Sequence, residues 1–170
     1  MHQSPSITTD TDAYYDITKK STFSYSGNEA IRGEGSIYSD FQRFGNGNDT
    51  LYGNDGNDVL DPNFGNDIID CVKGNDSLNG GAGDSSLYGS YGADLLDGGN
   101  GNDYIYDFVI SGGGEIDQKN DTIHGGAGND RIYSYYGFDV VYGGDDNDFI
   151  DIGNGSARGG TGNDNQRSFF

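Results

Sequence analysis

The sequence has few of the residues that cross-link, kink or fill an ordinary globular domain. Its 170 residues include one cysteine, two prolines, two histidines and no tryptophan. The lone Cys71 excludes an internal disulfide, so the fold needs another source of stability. Nine Lys and Arg against 28 Asp and Glu leave a net charge of −19. This acidity excludes nucleic acid as a partner, because phosphate contacts need basic side chains.

Apolar residues are also scarce, at 32% of the chain, and they form no long run. Residues 1–20 contain no apolar stretch, so we expect neither a Sec-type signal peptide nor a membrane span. His2 and His124 belong to no metalloprotease helix motif, and the sequence has no Gly-x-Ser-x-Gly elbow. We therefore expect that the chain is not an enzyme.

Glycine is abundant, with 31 residues, and it recurs in a repeat. Counting from Phe44, twelve nine-residue units keep their register through Asp151. One unit reads Gly-Asn-Asp-Gly-Asn-Asp-Val-Leu-Asp (53–61), and another reads Gly-Gly-Ala-Gly-Asn-Asp-Arg-Ile-Tyr (125–133). A period this strict predicts a repeat architecture in which each unit packs against its neighbours.

Two of the nine places carry most of the pattern. Place six is Asp in ten of the twelve units, with Ser85 and Gly112 as the exceptions, and the ten are Asp49, Asp58, Asp67, Asp76, Asp94, Asp103, Asp121, Asp130, Asp139 and Asp148. Place eight is aliphatic in eleven units, with Gly114 as the exception. A polar residue and an apolar residue two places apart indicate different environments for the turn and for the segment that follows it.

Place four is Gly in nine units, and Gly allows the positive φ that a tight turn requires. We interpret places one to five as a turn and places seven to nine as a short strand whose place-eight side chain faces inward. Two units then form one coil, and about six coils stack. The expected aliphatic columns are Leu51, Ile69, Leu87, Ile105, Ile123 and Val141, and Leu60, Leu78, Leu96, Ile132 and Ile150 with a gap at Gly114.

The same stacking brings the place-six side chains into two rows. We expect one row of Asp49, Asp67, Ser85, Asp103, Asp121 and Asp139, and another of Asp58, Asp76, Asp94, Gly112, Asp130 and Asp148. Carboxylates held about 5 Å apart repel one another unless a cation lies between them. Carboxylate and carbonyl oxygens in flexible turns suit Ca²⁺ better than Mg²⁺, which demands stricter octahedral geometry.

Units 98–106 and 125–133 resemble the glycine- and aspartate-rich nonapeptides of the RTX family, also called haemolysin-type calcium-binding repeats. The resemblance implies an all-β fold, a right-handed parallel β-roll with Ca²⁺ between successive turns. It also implies that the ten place-six Asp residues are the carboxylate ligands. Members of the family are mostly exported by type I secretion systems. An extracellular location, with the secretion apparatus as a partner, is therefore expected.

The pattern weakens at both ends and in one internal unit. Residues 107–115 have the length of a unit but not its pattern, so we expect the middle of the array to bind metal least well. We divide the chain into an N-terminal tail and cap (1–43), the repeat array (44–151) and a C-terminal cap with a candidate secretion tail (152–170). The polar Gln166 at place eight ends the core. Apolar residues expected to cover the N-terminal end are Phe23, Tyr25, Ile37, Tyr38 and Phe41.

The net charge places the metal-free chain near the disordered class of proteins. Six pairs of Asp in neighbouring coils predict about six to eight bound Ca²⁺ ions, with folding coupled to calcium. Extracellular calcium modules bind with dissociation constants of about 10⁻⁴ to 10⁻³ M, which keeps such a domain unfolded in the cytosol. A low-complexity glycine-rich chain that stays disordered even in calcium would show no register at place eight, and the observed register argues against it.

A second function stays open at this point. Tyr133, Tyr135, Tyr136 and Tyr142 are candidates for an outward aromatic surface that binds a glycan or a cell-surface ligand in the presence of calcium. The alternative is that these rings pack laterally along the strands.

Overall fold

The structure is a computed structural model that describes residues 14–16, 22–108 and 118–169, with only the backbone described at 14–16 and at Phe23. The expected N-terminal tail, residues 1–12, lies outside the described residues. In the described part the chain forms seventeen strands and no helix. They are β1 (Tyr14–Asp16), β2 (Thr22–Ser24), β3 (Arg32–Glu34), β4 (Phe41–Arg43), β5 (Thr50–Tyr52), β6 (Val59–Asp61), β7 (Ile68–Asp70), β8 (Ser77–Asn79), β9 (Ser86–Tyr88), β10 (Leu95–Asn100), β11 (Tyr104–Asp107), β12 (Thr122–Ala127), β13 (Arg131–Ser134), β14 (Asp139–Asp145), β15 (Phe149–Ile152), β16 (Gly155–Thr161) and β17 (Asn165–Ser168).

Alternate strands form two parallel sheets. The odd-numbered strands make a nine-stranded sheet in chain order, the odd sheet, and the even-numbered strands make an eight-stranded one, the even sheet. Each coil therefore contributes one strand to each sheet, with a turn between them. The all-β, parallel β-roll predicted from the sequence is confirmed, with about seven turns where the repeat array alone predicted six.

Most of the core consists of the place-eight side chains, which Ile31, Phe44, Cys71 and Ile152 join. All eleven aliphatic residues at this place are fully buried, with exposures of 0–1%. Their strand neighbours are far more exposed: in β10, Leu95 is 46% exposed whereas Leu96 is 0% exposed. The alternation expected for a strand with one buried face is thus confirmed, and the interior is two aliphatic columns one residue wide.

The stacking register differs from the prediction in one coil. Most neighbouring strands pair at a spacing of two repeat units, but Leu95 pairs with Thr122 and Tyr104 pairs with Arg131, both three units apart. The atypical unit 107–115 adds its length to one coil, because it lacks both the place-six Asp and the place-eight aliphatic residue. The predicted columns are therefore wrong beyond residue 107: Ile105 stacks on Ile132, and Leu96 stacks on Ile123.

The two sheets continue past both ends of the repeat array. β3 and β4 extend them on one side and β16 and β17 on the other, so the boundaries at 43/44 and 151/152 stay predictions.

The expectation that Ile37, Tyr38 and Phe41 cover the N-terminal end of the core is wrong, because these residues are 67%, 54% and 38% exposed. Phe41 occupies the outward place that pairs with Val59. The ring of Phe44, 1% exposed, instead fills the space beside Gly33.

At the C-terminal end the aliphatic column stops where the sequence predicts. Gln166 pairs with Ile150, and all four residues of β17 are exposed. The last coil is also shorter, since Phe149 pairs with Asn165, which follows it by less than two full repeat units.

Place five forms a second ladder that the sequence analysis missed. The side-chain oxygen of one place-five residue accepts the backbone N–H of its counterpart in the next coil, as in Asn66 N to Asn48 Oδ1 at 2.9 Å. The same bond joins Asn75 to Asn57 at 2.9 Å, and Asn129 to Asn102 at 2.9 Å across the long coil. These bonds satisfy turn N–H groups that have no strand partner.

Adjacent residues of β7 test the one-residue-wide core. Ile69 is 0% exposed and Ile68 is 45% exposed. We expect Ile69→Ala to lower the free energy of unfolding in saturating calcium by about 2 to 5 kcal/mol, because it leaves a cavity in the column. The matched Ile68→Ala should cost under about 1 kcal/mol. Urea unfolding followed by circular dichroism measures both, and equal losses would contradict the inward assignment of place eight.

Candidate metal centre

The ten predicted Asp residues lie in two rows. One row lies beside the turns that lead into the odd sheet, and the other lies beside the turns that lead into the even sheet. All ten are buried, with exposures of 0–4%. The odd row precedes the odd strands and contains Asp49, Asp67, Ser85, Asp103, Asp130, Asp148 and Asp164. The even row precedes the even strands and contains Asp40, Asp58, Asp76, Asp94, Asp121 and Asp139.

The long coil changes which carboxylates are neighbours. The expected pairing of Asp103 with Asp121 is wrong, because Asp103 N donates to Asp130 Oδ1 at 2.8 Å and Asp94 N donates to Asp121 Oδ1 at 2.7 Å. The expected gap at Gly112 therefore does not interrupt the even row. Ser85 still interrupts the odd row, where its hydroxyl oxygen accepts Asp67 N at 3.3 Å.

One oxygen of each carboxylate is used by the fold itself. Oδ1 accepts the backbone N–H of the row neighbour in the preceding coil, with N···O distances of 2.7–3.1 Å along both rows. These bonds fix the side-chain rotamers and point the second oxygen, Oδ2, along the inner edge of the turn. The geometry of the rows is therefore set by backbone hydrogen bonds.

The second oxygen has no such partner in most of the row. Among the described residues, no hydrogen bond reaches the buried Oδ2 atoms of Asp49, Asp58, Asp67, Asp76, Asp103, Asp130 and Asp148. Leaving one buried charged acceptor unsatisfied costs about 1 to 3 kcal/mol or more. A series of such atoms requires a cation or protons close to each of them.

The unsatisfied oxygens face carbonyl groups across a small space. A methyl group placed on Gly53 would lie 2.5 Å from Asp58 Oδ2 and 3.2 Å from the carbonyl oxygen of Cys71 in the next coil. At Gly98 the equivalent position is flanked by Asp103 Oδ2 and the carbonyl oxygen of Gly125. Place one is Gly in six of the twelve units, and at the two glycines described a side chain would fill this space. Converging carboxylate and carbonyl oxygens are the donor set that Ca²⁺ takes, so the residues present fit that ion.

The sequence profile of the RTX calcium-binding nonapeptide repeat matches this chain in four copies. The copies span residues 45–69, 73–105, 116–150 and 131–158, which together cover more than half of the chain. This chain belongs to the RTX calcium-binding repeat family. Searches of curated proteins and of solved structures gave no significant match. The RTX β-roll is a structural calcium-binding module, and the four copies leave out residues 106–115, where the coil is longest.

Burial changes the protonation of the carboxyls in the metal-free RTX roll. Loss of hydration raises the pKa of Asp58 and of Asp130 to about 7, and that of Asp67, Asp76 and Asp103 to about 6. The backbone N–H bonds to Oδ1 oppose this rise but do not cancel it. The rows are thus poor hosts for negative charge unless a positive charge accompanies it.

The RTX rows contain two Asp residues that the sequence analysis missed. Asp40 N donates to Asp58 Oδ1 at 2.7 Å, and Asp164 Oδ1 accepts Asp148 N at 3.1 Å. Asp40 stands two full repeat units before Asp58, a signal that the coil length would have revealed. Asp164 follows Asp148 by less than two full units, and the shorter coil hid it.

In residues 14–16, 22–108 and 118–169 we find no helix with the length and apolar character of a membrane span.

The raised pKa values predict how the RTX roll responds to acid. The folded carboxyls bind protons more tightly than the unfolded ones, whose ordinary pKa is 3.8. The metal-free fold is therefore most stable below about pH 4, and this stability is lost as the pH rises to about 7. Calcium binding has the opposite dependence, because protons compete for the same oxygens.

We expect the calcium midpoint of folding to fall when the pH falls from about 7.5 to about 5.5, because the folded carboxyls bind protons that the unfolded chain does not bind in this range. Circular dichroism titrations with CaCl₂ at the two pH values measure the shift. The circular dichroism signal of β structure in the metal-free protein should increase over the same fall in pH. A midpoint independent of pH would contradict the burial of the carboxylates.

Proposed function

We propose that the place-six carboxylates hold Ca²⁺ between successive turns of the roll, with the place-one carbonyl groups as further ligands. The observation that supports this most directly is the series of buried Oδ2 atoms that no described donor reaches. The proposed ligands are Asp49, Asp58, Asp67, Asp76, Asp94, Asp103, Asp121, Asp130, Asp139 and Asp148.

The register suggests how many ions the rows hold. The even row has five neighbouring Asp pairs, from Asp40/Asp58 to Asp121/Asp139, and the odd row has four, because Ser85 removes two. The sequence predicted six to eight ions. One ion for each of the nine pairs would give at most nine, which is slightly above that range. The sequence predicted the weakest calcium binding in the middle of both rows. The observed register leaves one interruption, at Ser85 in the odd row.

We infer that folding is coupled to calcium. A net charge of −19 and two rows of buried carboxylates oppose the metal-free fold, whereas each Ca²⁺ brings two positive charges close to buried oxygens, most of which no described donor reaches. Dissociation constants of about 10⁻⁴ to 10⁻³ M keep the chain unfolded in a cytosol and folded outside the cell. The module then acts as a calcium-stabilised structural element without chemistry of its own.

We also propose that the chain is part of an exported protein, an extracellular substrate of a type I secretion apparatus. Two observations support the proposal. Proteins with RTX repeats are typically exported. A chain that stays unfolded until it meets millimolar calcium is also suited to passage through a narrow export channel.

Calcium-dependent adhesion is a second candidate function, and one surface favours it. On the outer face of the odd sheet, Tyr88, Tyr106, Tyr133 and Phe149 form a continuous strip with ring centroids 4.8–6.1 Å apart. Half-exposed aromatic rings of this kind stack on sugar rings. The same contacts also show that the rings pack laterally on one another. Glycan binding in calcium but not in EGTA distinguishes adhesion from a purely structural role.

Two aspartates of one turn test the calcium assignment. Asp58 is 1% exposed and lies in the even row, whereas the side chain of Asp55 is 54% exposed and lies 3.9 Å from Lys73 Nζ. We expect Asp58→Asn to raise the calcium midpoint of folding severalfold and to remove at least one ion per chain, because it takes a charge from two adjacent sites. Calorimetric titration with CaCl₂ measures both quantities.

The control variant Asp55→Asn removes the same charge from the same turn without touching a row. It should leave the number of ions unchanged and the midpoint within about twofold. Equal effects of the two substitutions would mean that net charge, and not the rows, governs calcium binding.

A further inference from the structure

Asp107 is a buried carboxylate outside the repeat pattern. It is the last residue of β11 and stands at place one, where the preceding coil has Gly89 and the following coil has Ser134. Its inward orientation follows from the strand alternation, because Ile105 and Asp107 are buried while Tyr104 and Tyr106 are half-exposed. Asp107 itself is only 4% exposed.

The Asp107 side chain lies within the even row. Asp94, Asp107 and Asp121 each offer a carboxylate oxygen, and these three oxygens lie within 4.8 Å of one another. A methyl group on Gly89 would lie 2.6 Å from Asp107 Oδ1 and 3.1 Å from Asp94 Oδ2. Asp107 thus occupies the space where other turns have glycine and carbonyl oxygens.

A second observation points to a ligand for this cluster. The Oδ2 atom of Asp107 is buried, and no hydrogen bond reaches it among the described residues. The three carboxylates therefore concentrate more negative charge here than any two-carboxylate site does.

We propose that Asp94, Asp107 and Asp121 form a three-carboxylate Ca²⁺ site, which binds more tightly and fills earlier than the two-carboxylate sites of the roll. The proposal rests on the calcium function proposed above and adds a ligand outside the nonapeptide pattern. The affinity of oxygen-ligand sites for Ca²⁺ rises with the number of charged ligands. The third charge lies beside the long coil, across which Leu95 pairs with Thr122 and Tyr104 pairs with Arg131.

This arrangement gives the long coil a role in assembly. The hydrogen bond from Asp94 N to Asp121 Oδ1 spans the three-unit spacing. It joins the coil that ends at Asp94 to the coil that contains Asp121. A cation shared by Asp94, Asp107 and Asp121 fastens both strands next to the insertion, β11 and β12, to β10. The closure of a longer loop costs more entropy, and the stronger site offsets that cost.

Calcium titration of the full chain against a chromophoric chelator tests the proposal. In the wild type we expect one site at least about tenfold tighter than the rest, and in Asp107→Asn we expect that site to join the weaker class. Asp107→Ser, which copies Ser134 of the next coil, should have the same effect. Circular dichroism at saturating calcium verifies that the variants fold.

A structural role for Asp107 predicts a different result. If Asp107 only fills space, Asp107→Asn leaves the tight class unchanged, and the proposal is overturned. Asp58→Asn separates this outcome from failure of the calcium function, because it should weaken other sites while the tight one persists. A wild type that binds no calcium overturns both proposals, whereas a tight site lost in Asp107→Asn with no effect of Asp58→Asn overturns only the assignment of the two-carboxylate sites.

Discussion

The structure depends on a conflict between burial and charge. The stacking of coils places carboxylates inside the edges of the roll, where water does not reach them, and the backbone uses only one oxygen of each. Neither the narrow aliphatic core nor the parallel strands remove the charge of the second oxygen. A divalent cation removes it and is attracted by the same electrostatic field that makes the metal-free roll unstable. The calcium dependence that we propose is therefore a property of the repeat geometry as a whole.

The repeat unit is short because each place has one task. Gly at place one leaves room for oxygens that converge from two coils, and Asp at place six is held by the N–H of the preceding coil. The aliphatic residue at place eight is the only inward side chain of a three-residue strand. A side chain at place one changes the site directly, and Asp107 adds a charge there where most turns have none. The proposed Asp107 site would thus be a specialised site made by one residue within a uniform scaffold.

The sequence predicted the fold and the inward residues because their period is strict. Leu51, Leu60 and the other place-eight residues are buried as the alternation required. It did not predict the register beyond Asp107, since a unit of correct length but without Asp and aliphatic residues can either stack or lengthen a coil. The structure shows the second outcome, which joins Asp94 to Asp121 and Asp103 to Asp130. Capping was also mispredicted, because β3 and β4 continue the sheets and leave Ile37 and Tyr38 at the surface.

The most direct test of the account is a far-UV circular dichroism titration of the metal-stripped chain with CaCl₂ from about 10 µM to about 10 mM, with MgCl₂ as the control. We predict a cooperative transition from coil to β structure in calcium and none in magnesium, because flexible turns with carboxylate and carbonyl oxygens do not provide the rigid octahedron that Mg²⁺ requires. A spectrum that shows full β structure before calcium is added, or that does not change with calcium, would contradict the claim that the cation resolves the conflict between burial and charge.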